Sequence, residues 1–195
     1  MPIPTRRRNA DIKKLLRLAA RDDLDLRFED ECRFQQHGSR CRMWVPPEEV
    51  DPFVLHAPTR RSVGAFGAVR PDDGPFVASR AECFDAGTFP AFLKCLLRHK
   101  RRARMILVIL DNARWHHVKM ILPWLKEYKR ALRLDFLPAY SPDLNCVERV
   151  WKLTRRICTH NRYFESLDDL VETVFGQFAA WRKPNDTLRR LCAVI

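Results

Sequence analysis

Between Leu24 and Phe34 the chain alternates. Leu24, Leu26, Phe28, Asp30, Cys32 and Phe34 fall on one side, and Asp25, Arg27, Glu29, Glu31 and Arg33 on the other. A period of two predicts a strand with one apolar face. Asp30 is the only charged residue in the apolar set. Ahead of this strand, Ile12, Leu15, Leu16 and Ala19 recur at helical spacing among Lys and Arg, which predicts a short amphipathic helix over 11–21. From Arg40 to Val77, the strand-like runs CRMWV, PFVLHA and SVGAFGAV are broken by Pro46, Pro47, Gly64, Gly67 and the turn Pro71-Asp72-Asp73-Gly74, so an antiparallel meander is expected there.

After Gly87 the period changes. Phe89, Phe92, Leu93 and Leu96 predict a helix ending in the basic cluster RHKRRAR, and the unbroken apolar run Met105 to Leu110 predicts a central strand covered on both faces. Residues 115–129 suit a helix despite Pro123, which either kinks it or marks a break, and LRLDFL over 132–137 suits another strand. Ser141-Pro142 reads as an N-cap followed by proline at the first helical position, opening a helix whose buried side is Val147, Val150, Trp151, Thr154 and Cys158. Ser166 with Asp169 forms a capping-box pattern. Leu167, Leu170, Val171, Val174, Phe178 and Trp181 then define a last amphipathic helix that ends before Pro184. The order is a meander, then alternating helix and strand, then helices. It predicts an α/β fold, a mixed sheet flanked by helices. The chain divides into a short helical segment (1–23), one domain (24–183) and a tail (184–195).

Composition adds a partner to this picture. With 36 Lys and Arg against 24 Asp and Glu, the net charge is +12, which favours a polyanion, of which nucleic acid is the commonest. No apolar run approaches the ~20 residues that span a bilayer. Lys13, Lys14 and Arg17 interrupt the N-terminal apolar residues, so no secretory core is expected. The seven cysteines are scattered without a C-x-x-C pair, as expected of reduced thiols in a cytoplasm.

Three carboxylates stand out. Asp30 lies on an apolar strand face, where an ionised group is costly unless a cation, an arginine or a set of donors compensates it. Asp111 directly follows MILVIL, at the end of a central strand where open α/β sheets bind ligands, although a plain helix N-cap fits that position as well. Asn112, His116 and His117 follow it; adjacent histidines cannot easily reach one metal together, so local hydrogen bonding is the expected role of both. Glu148 heads a helical face that continues through Lys152, Arg155 and Arg156. Glu148 and Lys152 make either an ordinary i,i+4 pair worth ~0.2–0.5 kcal/mol or the start of a basic stripe that tracks a phosphate backbone. Spacing leaves both open. Glu31, between Arg27 and Arg33, reads as a surface ion-pair member.

The segments LVILDNARWHH and LDFLPAYSPDLNCVERVWKLTRR resemble the last two catalytic blocks of the mariner superfamily of DDE transposases, and most closely its bacterial insertion sequence 630 group. LRFEDECRF resembles the block carrying the first catalytic aspartate. The resemblance runs from about Leu24 to Leu170. It implies that Asp30, Asp111 and Glu148 are the catalytic and metal-binding acids, with 36 residues between the last two. It implies that Asn112, His116 and Asn145 support them and that Lys152, Arg155 and Arg156 contact DNA. Cys146-Val147 stands where a Pro-Ile-like pair usually precedes the glutamate, a departure expected to alter helix entry more than chemistry.

The resemblance further implies an RNase H-like fold and two Mg²⁺ ions, with Mn²⁺ as a substitute. The expected activity is cleavage at element ends and strand transfer into target DNA, at TA dinucleotides. Double-stranded DNA is the implied partner, with a homodimer holding both ends in the nucleoid of a bacterial cytoplasm. Relatives carry a helix-turn-helix region upstream, for which residues 1–23 leave no room, so the chain is expected to be a catalytic half whose DNA-end reader sits in the same or a separate subunit. An inactive DNA-binding remnant and a metal-dependent nuclease of the same fold are the alternatives.

Overall fold

The structure is a computed structural model that describes residues 13–48, 53, 55–113, 121–138 and 141–193. Five strands form one mixed sheet: β1 (Leu24–Gln35), β2 (Ser62–Val69), β3 (Phe76–Ala81), β4 (Met105–Leu110) and β5 (Leu132–Phe136). Their order across the sheet is β3-β2-β1-β4-β5. β1 pairs antiparallel with β2 and parallel with β4, so it joins an antiparallel half to a parallel half. Helical residues 13–19 (α1) precede the sheet. The remaining helices are α2 (Phe89–Arg98), α3 (Leu122–Glu127), α4 (Val147–Thr154), α5 (Leu167–Ala180) and α6 (Asp186–Leu191).

Each face of the sheet has its own core. On one side Phe28, Cys32 and Phe34 of β1 and Leu107 and Ile109 of β4 pack against Val147, Val150 and Trp151 of α4, Leu170, Val174 and Phe178 of α5, and Leu188 of α6. On the other, Phe66, Ile106, Val108 and Leu110 meet Phe89, Phe92, Leu93 and Leu96 of α2. The expected mixed sheet flanked by helices is therefore present, and the buried side of α4 holds the residues read from the sequence, with Cys158 buried as well.

Three expectations are corrected. The charged side of β1 is not solvated: Asp25, Arg27 and Glu29 are each 0–1% exposed, because helices cover both faces. Asp25 accepts hydrogen bonds from Arg27 at 3.1 Å and from the Arg101 amide at 3.0 Å, and it faces Arg70 at 3.4 Å. That compensation by residues distant in sequence is what permits the burial. The meander is built from β1, β2 and β3, and neither CRMWV nor the described part of PFVLHA is a strand. Ser141-Pro142 opens a separate 3-10 turn (Pro142–Leu144), and α4 begins only at Val147 with Cys146 as its N-cap. Of the helix expected over 115–129, the described part is α3, with Pro123 in its first turn as the alternative of a break allows, and residues 114–120 lie outside the described residues.

Two local features matter below. After Thr154 the α4 helix widens into a π-helical turn, Arg155–Thr159, closed by the His160 amide on the Arg155 carbonyl at 2.8 Å. At α5 the capping box is present, with Ser166 Oγ accepting from the Asp169 amide at 3.1 Å and Asp169 Oδ2 accepting from the Ser166 amide at 2.9 Å. Replacing Ser166 by alanine is expected to cost about 1 kcal/mol, a fall of roughly 2–4 °C in Tm for a chain of this size. An unchanged melting temperature would show that packing alone holds α5. The segment after 184 contains α6, N-capped by Asn185, whose side chain accepts from the Leu188 amide at 2.9 Å.

Candidate active site

Asp30 sits in the middle of β1, opposite Gly67 of β2, and shares the face of Phe28 that looks onto α4. The buried indole of Trp151 donates from Nε1 to Asp30 Oδ2 at 3.0 Å. A buried Trp N–H needs such a partner, so the bond fixes the carboxylate and the helix together. Trp151 lies three residues beyond Glu148 on α4, which brings Glu148, in the first turn of that helix, beside Asp30. Burial and then the charge of Glu148 push the pKa of Asp30 up to about 7, with Glu31 adding to the rise; the Glu31 amide and the Trp151 indole oppose it.

Asp111 follows the last residue of β4. The parallel register aligns Phe28 with Ile109, so Asp30 and Asp111 are both two residues beyond the last aligned pair, on neighbouring strands and on the same face. Strands lie ~4.8 Å apart, which places Asp111 at the same edge as Asp30. Its Oδ1 accepts the Ala113 amide at 2.9 Å and the residue is exposed. Glu29, fully buried on the opposite face of β1, has its pKa raised well above the carboxylate range by burial first and then by Glu31, Asp30 and Asp111. Electrostatic contact thus runs from Asp111 through Glu29 and Asp30 to Glu148.

Among the described residues no three His, Cys, Asp or Glu side chains stand close enough to share one metal ion. The structure brings Asp30 and Glu148 together and aligns Asp111 with them in register. Clustered carboxylates are hard oxygen donors that repel one another, a set suited to Mg²⁺ or Mn²⁺.

The supporting residues divide. Asn145 is buried and ties α4 to β1, donating from Nδ2 to the Glu29 carbonyl at 2.8 Å while its Oδ1 accepts the Val147 amide at 3.3 Å. Asn112 donates from Nδ2 to the Leu137 carbonyl, tying the end of β4 to the end of β5. His116 and His117 lie outside the described residues. Lys152 and Arg156 are exposed, whereas the Arg155 guanidinium turns inward to Cys32 Sγ at 2.9 Å and over the Phe34 ring at 5.7 Å. Sequence reasoning placed Trp151 only in the core and missed its grip on Asp30; its polar N–H on a buried face was the available signal.

Residues 25–171 match the family described as DDE superfamily endonuclease. The chain belongs to that family. It is 32% identical over 108 residues to the "Insertion element IS630 uncharacterized 39 kDa protein" of Shigella sonnei, covering 55% of this chain and 31% of that protein. It is 35% identical over 118 residues to the uncharacterized protein y4pE/y4sA of Sinorhizobium fredii, covering 60% of this chain and 82% of that one. Among solved structures, a pre-cleavage Mos1 transpososome aligns over 98% of this chain and 60% of its own, with a TM-score of 0.69 at 18% identity. The Mos1 mariner paired end complex with Mn aligns over the same shares with a TM-score of 0.67 at 19% identity. The catalytic domain of Mos1 mariner transposase gives 0.61 at 18% identity, over 98% and 89%. The fold is therefore RNase H-like, as in these Mos1 structures, and the domain is a DDE superfamily endonuclease domain with sequence similarity to the IS630 insertion-element protein. The chain spans about a third of the length of the insertion-element protein it matches.

Proposed function

We propose that this domain is the catalytic part of a DNA transposase, cutting DNA at element ends and joining the freed strand to target DNA. The observation that carries this reading is the clasp between Trp151 and Asp30, which sets Glu148 beside Asp30 at the sheet edge where Asp111 emerges. Asp30, Asp111 and Glu148 are the residues that would hold two divalent cations, Mg²⁺ or Mn²⁺. Bound there, the ions would polarise a phosphodiester and clamp the attacking and leaving oxygens of an in-line displacement. Asn145 and Trp151, both from the α4 side of the sheet, keep the acids in place through the Glu29 carbonyl and the Asp30 carboxylate, and Asn112 steadies the strand end that carries Asp111. The Mn-containing paired end complex of Mos1 supports the metal assignment by analogy.

Lys152 and Arg156 are the exposed cations of α4 and its π-turn, set to meet backbone phosphates next to the acids, while Arg155 braces β1. Replacing Lys152 and Arg156 together by alanine is expected to weaken binding to every DNA sequence alike. The slope of log K against log salt should fall by about 0.9 for each lost phosphate contact. A binding titration across a range of salt that returns the wild-type slope would restore both residues to ordinary surface.

A homodimer holding two ends fits the fully exposed Trp44 and Phe53, with Met43 and Leu55 beside them, as apolar surface for a second subunit. A helix-turn-helix reader in the same or a partner polypeptide would supply base-edge contacts, and the nucleoid of a bacterial cytoplasm is the proposed setting. No helix among the described residues is long and apolar enough to cross a membrane. The deciding experiment incubates the purified protein with Mg²⁺ or Mn²⁺ and labelled duplexes of its own element ends. Nicking at the ends followed by strand joining supports the transposase. Nicking without joining identifies a nuclease, and binding without nicking an inactive remnant.

A further inference from the structure

Past the end of β1 the chain turns sharply, and the turn is fastened to the segment after α4. Gly38 has φ +64°, and a Cβ there would lie 2.7 Å from the carbonyl oxygens of both Thr159 and Arg162. The Ser39 amide donates to the Thr159 carbonyl at 3.1 Å, and the Asn161 amide donates to the Ser39 carbonyl at 2.8 Å. The Asn161 side chain closes the clasp, with Oδ1 accepting the Cys41 amide at 2.8 Å and Nδ2 donating to the Cys41 carbonyl at 2.9 Å. The facing wall is anchored too, because the Gln36 amide donates to the Arg61 carbonyl at 2.9 Å and Thr59 Oγ1 accepts the Arg61 amide at 3.2 Å.

Between the walls is a cleft of about 600 Å³. His37, Ser39 and Arg40 line one side, and His56, Thr59 and Arg60 the other; the two imidazoles face each other at 5.6 Å. No carboxylate is among its described lining residues. Arg40 and Arg60 are exposed and make no ion pair with any described residue. Two guanidiniums without an ion pair among the described residues, with hydroxyl and imidazole groups between hydrogen-bonded walls, suit the oxygens of a phosphodiester.

The cleft is also aligned with the acids. Glu148 opens α4, the π-turn continues it, and His160 at its end bridges to Ser39 in the cleft wall. At 1.5 Å per residue this path is roughly 18 Å long, or about five base pairs at 3.4 Å each. Exposed Lys152 and Arg156 lie along it. We propose that this cleft seats a backbone phosphate of the DNA duplex, about five base pairs from the bond presented to Asp30 and Glu148. The proposal rests on the DNA-cleaving reading above and deepens it by fixing where the flanking duplex runs.

The test compares wild type with Arg40→Ala/Arg60→Ala on two duplexes, one extending ten base pairs beyond the cut and one ending three base pairs beyond it. On the longer duplex the variant should lose roughly 0.9–1.8 from the salt slope; on the shorter one it should match wild type. A single methylphosphonate near the fifth base pair should weaken wild-type binding and leave the variant unaffected. Arg40→Lys/Arg60→Lys, which keeps the charge, should recover most of the loss. Equal slopes for wild type and alanine variant on the longer duplex overturn the cleft, and so do equal losses on both duplexes, the mark of a general field effect. Those results leave the cleavage reading standing if wild type still binds and cuts. Failure of wild type to bind either duplex removes both.

Discussion

Replacing Asp30 by asparagine should abolish divalent-dependent cleavage and, in metal-free buffer near pH 8, leave the protein more stable than wild type. Loss of activity follows from removing a charged oxygen donor. A metal clamp is worth several kcal/mol of barrier, so a fall of roughly a thousandfold or more is expected. Asp111→Asn and Glu148→Gln should do the same, with DNA binding retained through phosphate contacts elsewhere.

The gain in stability has a separate cause. The Asp30 carboxyl titrates at about 7 when folded, against a reference value of 3.8. Between those pH values the folded protein holds a proton that the unfolded chain has released, so stability falls as pH rises from about 4 to about 7. That separation corresponds to roughly 4 kcal/mol at full deprotonation. Asparagine keeps an oxygen to accept the Trp151 N–H but carries no charge against Glu148, so the part of the slope that Asp30 contributes should vanish. Thermal unfolding of both proteins in EDTA from pH 5 to 8 checks this, and added Mg²⁺ or Mn²⁺ should raise the wild-type Tm selectively. Superimposable pH profiles, or a variant that still cuts, would take Asp30 out of the site.

Gly67→Ala is expected to damage stability and activity together. Gly67 is the β2 partner of Asp30, and a Cβ there would overlap the rings of Trp151 and Phe76. Neither ring has room to yield. Trp151 and Phe76 are 1% and 0% exposed and pack edge to face at 5.4 Å, with Phe178 against both. Overpacking of this kind costs about 1–3 kcal/mol, a Tm lower by roughly 2–12 °C for a chain of this length. Any displacement of Trp151 also strains its hydrogen bond to Asp30, so cleavage should drop even at temperatures where the variant is fully folded. A variant that melts and cuts like wild type would show that Trp151 can shift without cost and does not set the acid.

Much of this was legible in the sequence where the signal is local. The alternation of β1, the apolar run of β4 and the Ser166–Asp169 box each follow from neighbours along the chain, and each is observed. Strand β3 was missed because FVASRA has few large apolar residues and owes its place to pairing with β2. CRMWV carries the composition of a strand but lacks a partner in the sheet. The burial of Asp25 and Arg27 depends on Arg70 and Arg101, which no reading of the β1 segment alone could supply. The three acids were legible through motif resemblance; the residues that position them were less so. Trp151, Asn145 and Arg155 act on β1 from more than a hundred residues away.

The π-turn at Arg155–Thr159 has a consequence for how this segment can change length. Excising one residue would return it to an ordinary α-helix and leave everything downstream close to its present phase, because the five residues of the wider turn sweep about the same angle as four residues of an α-helix at ~100° each. The start of the helix is keyed to β1 through Trp151, and its end is keyed to the turn at Ser39 through Thr159 and Asn161. The wider turn absorbs the extra residue, so a one-residue deletion here can keep both attachments by closing the turn to an ordinary α-helix.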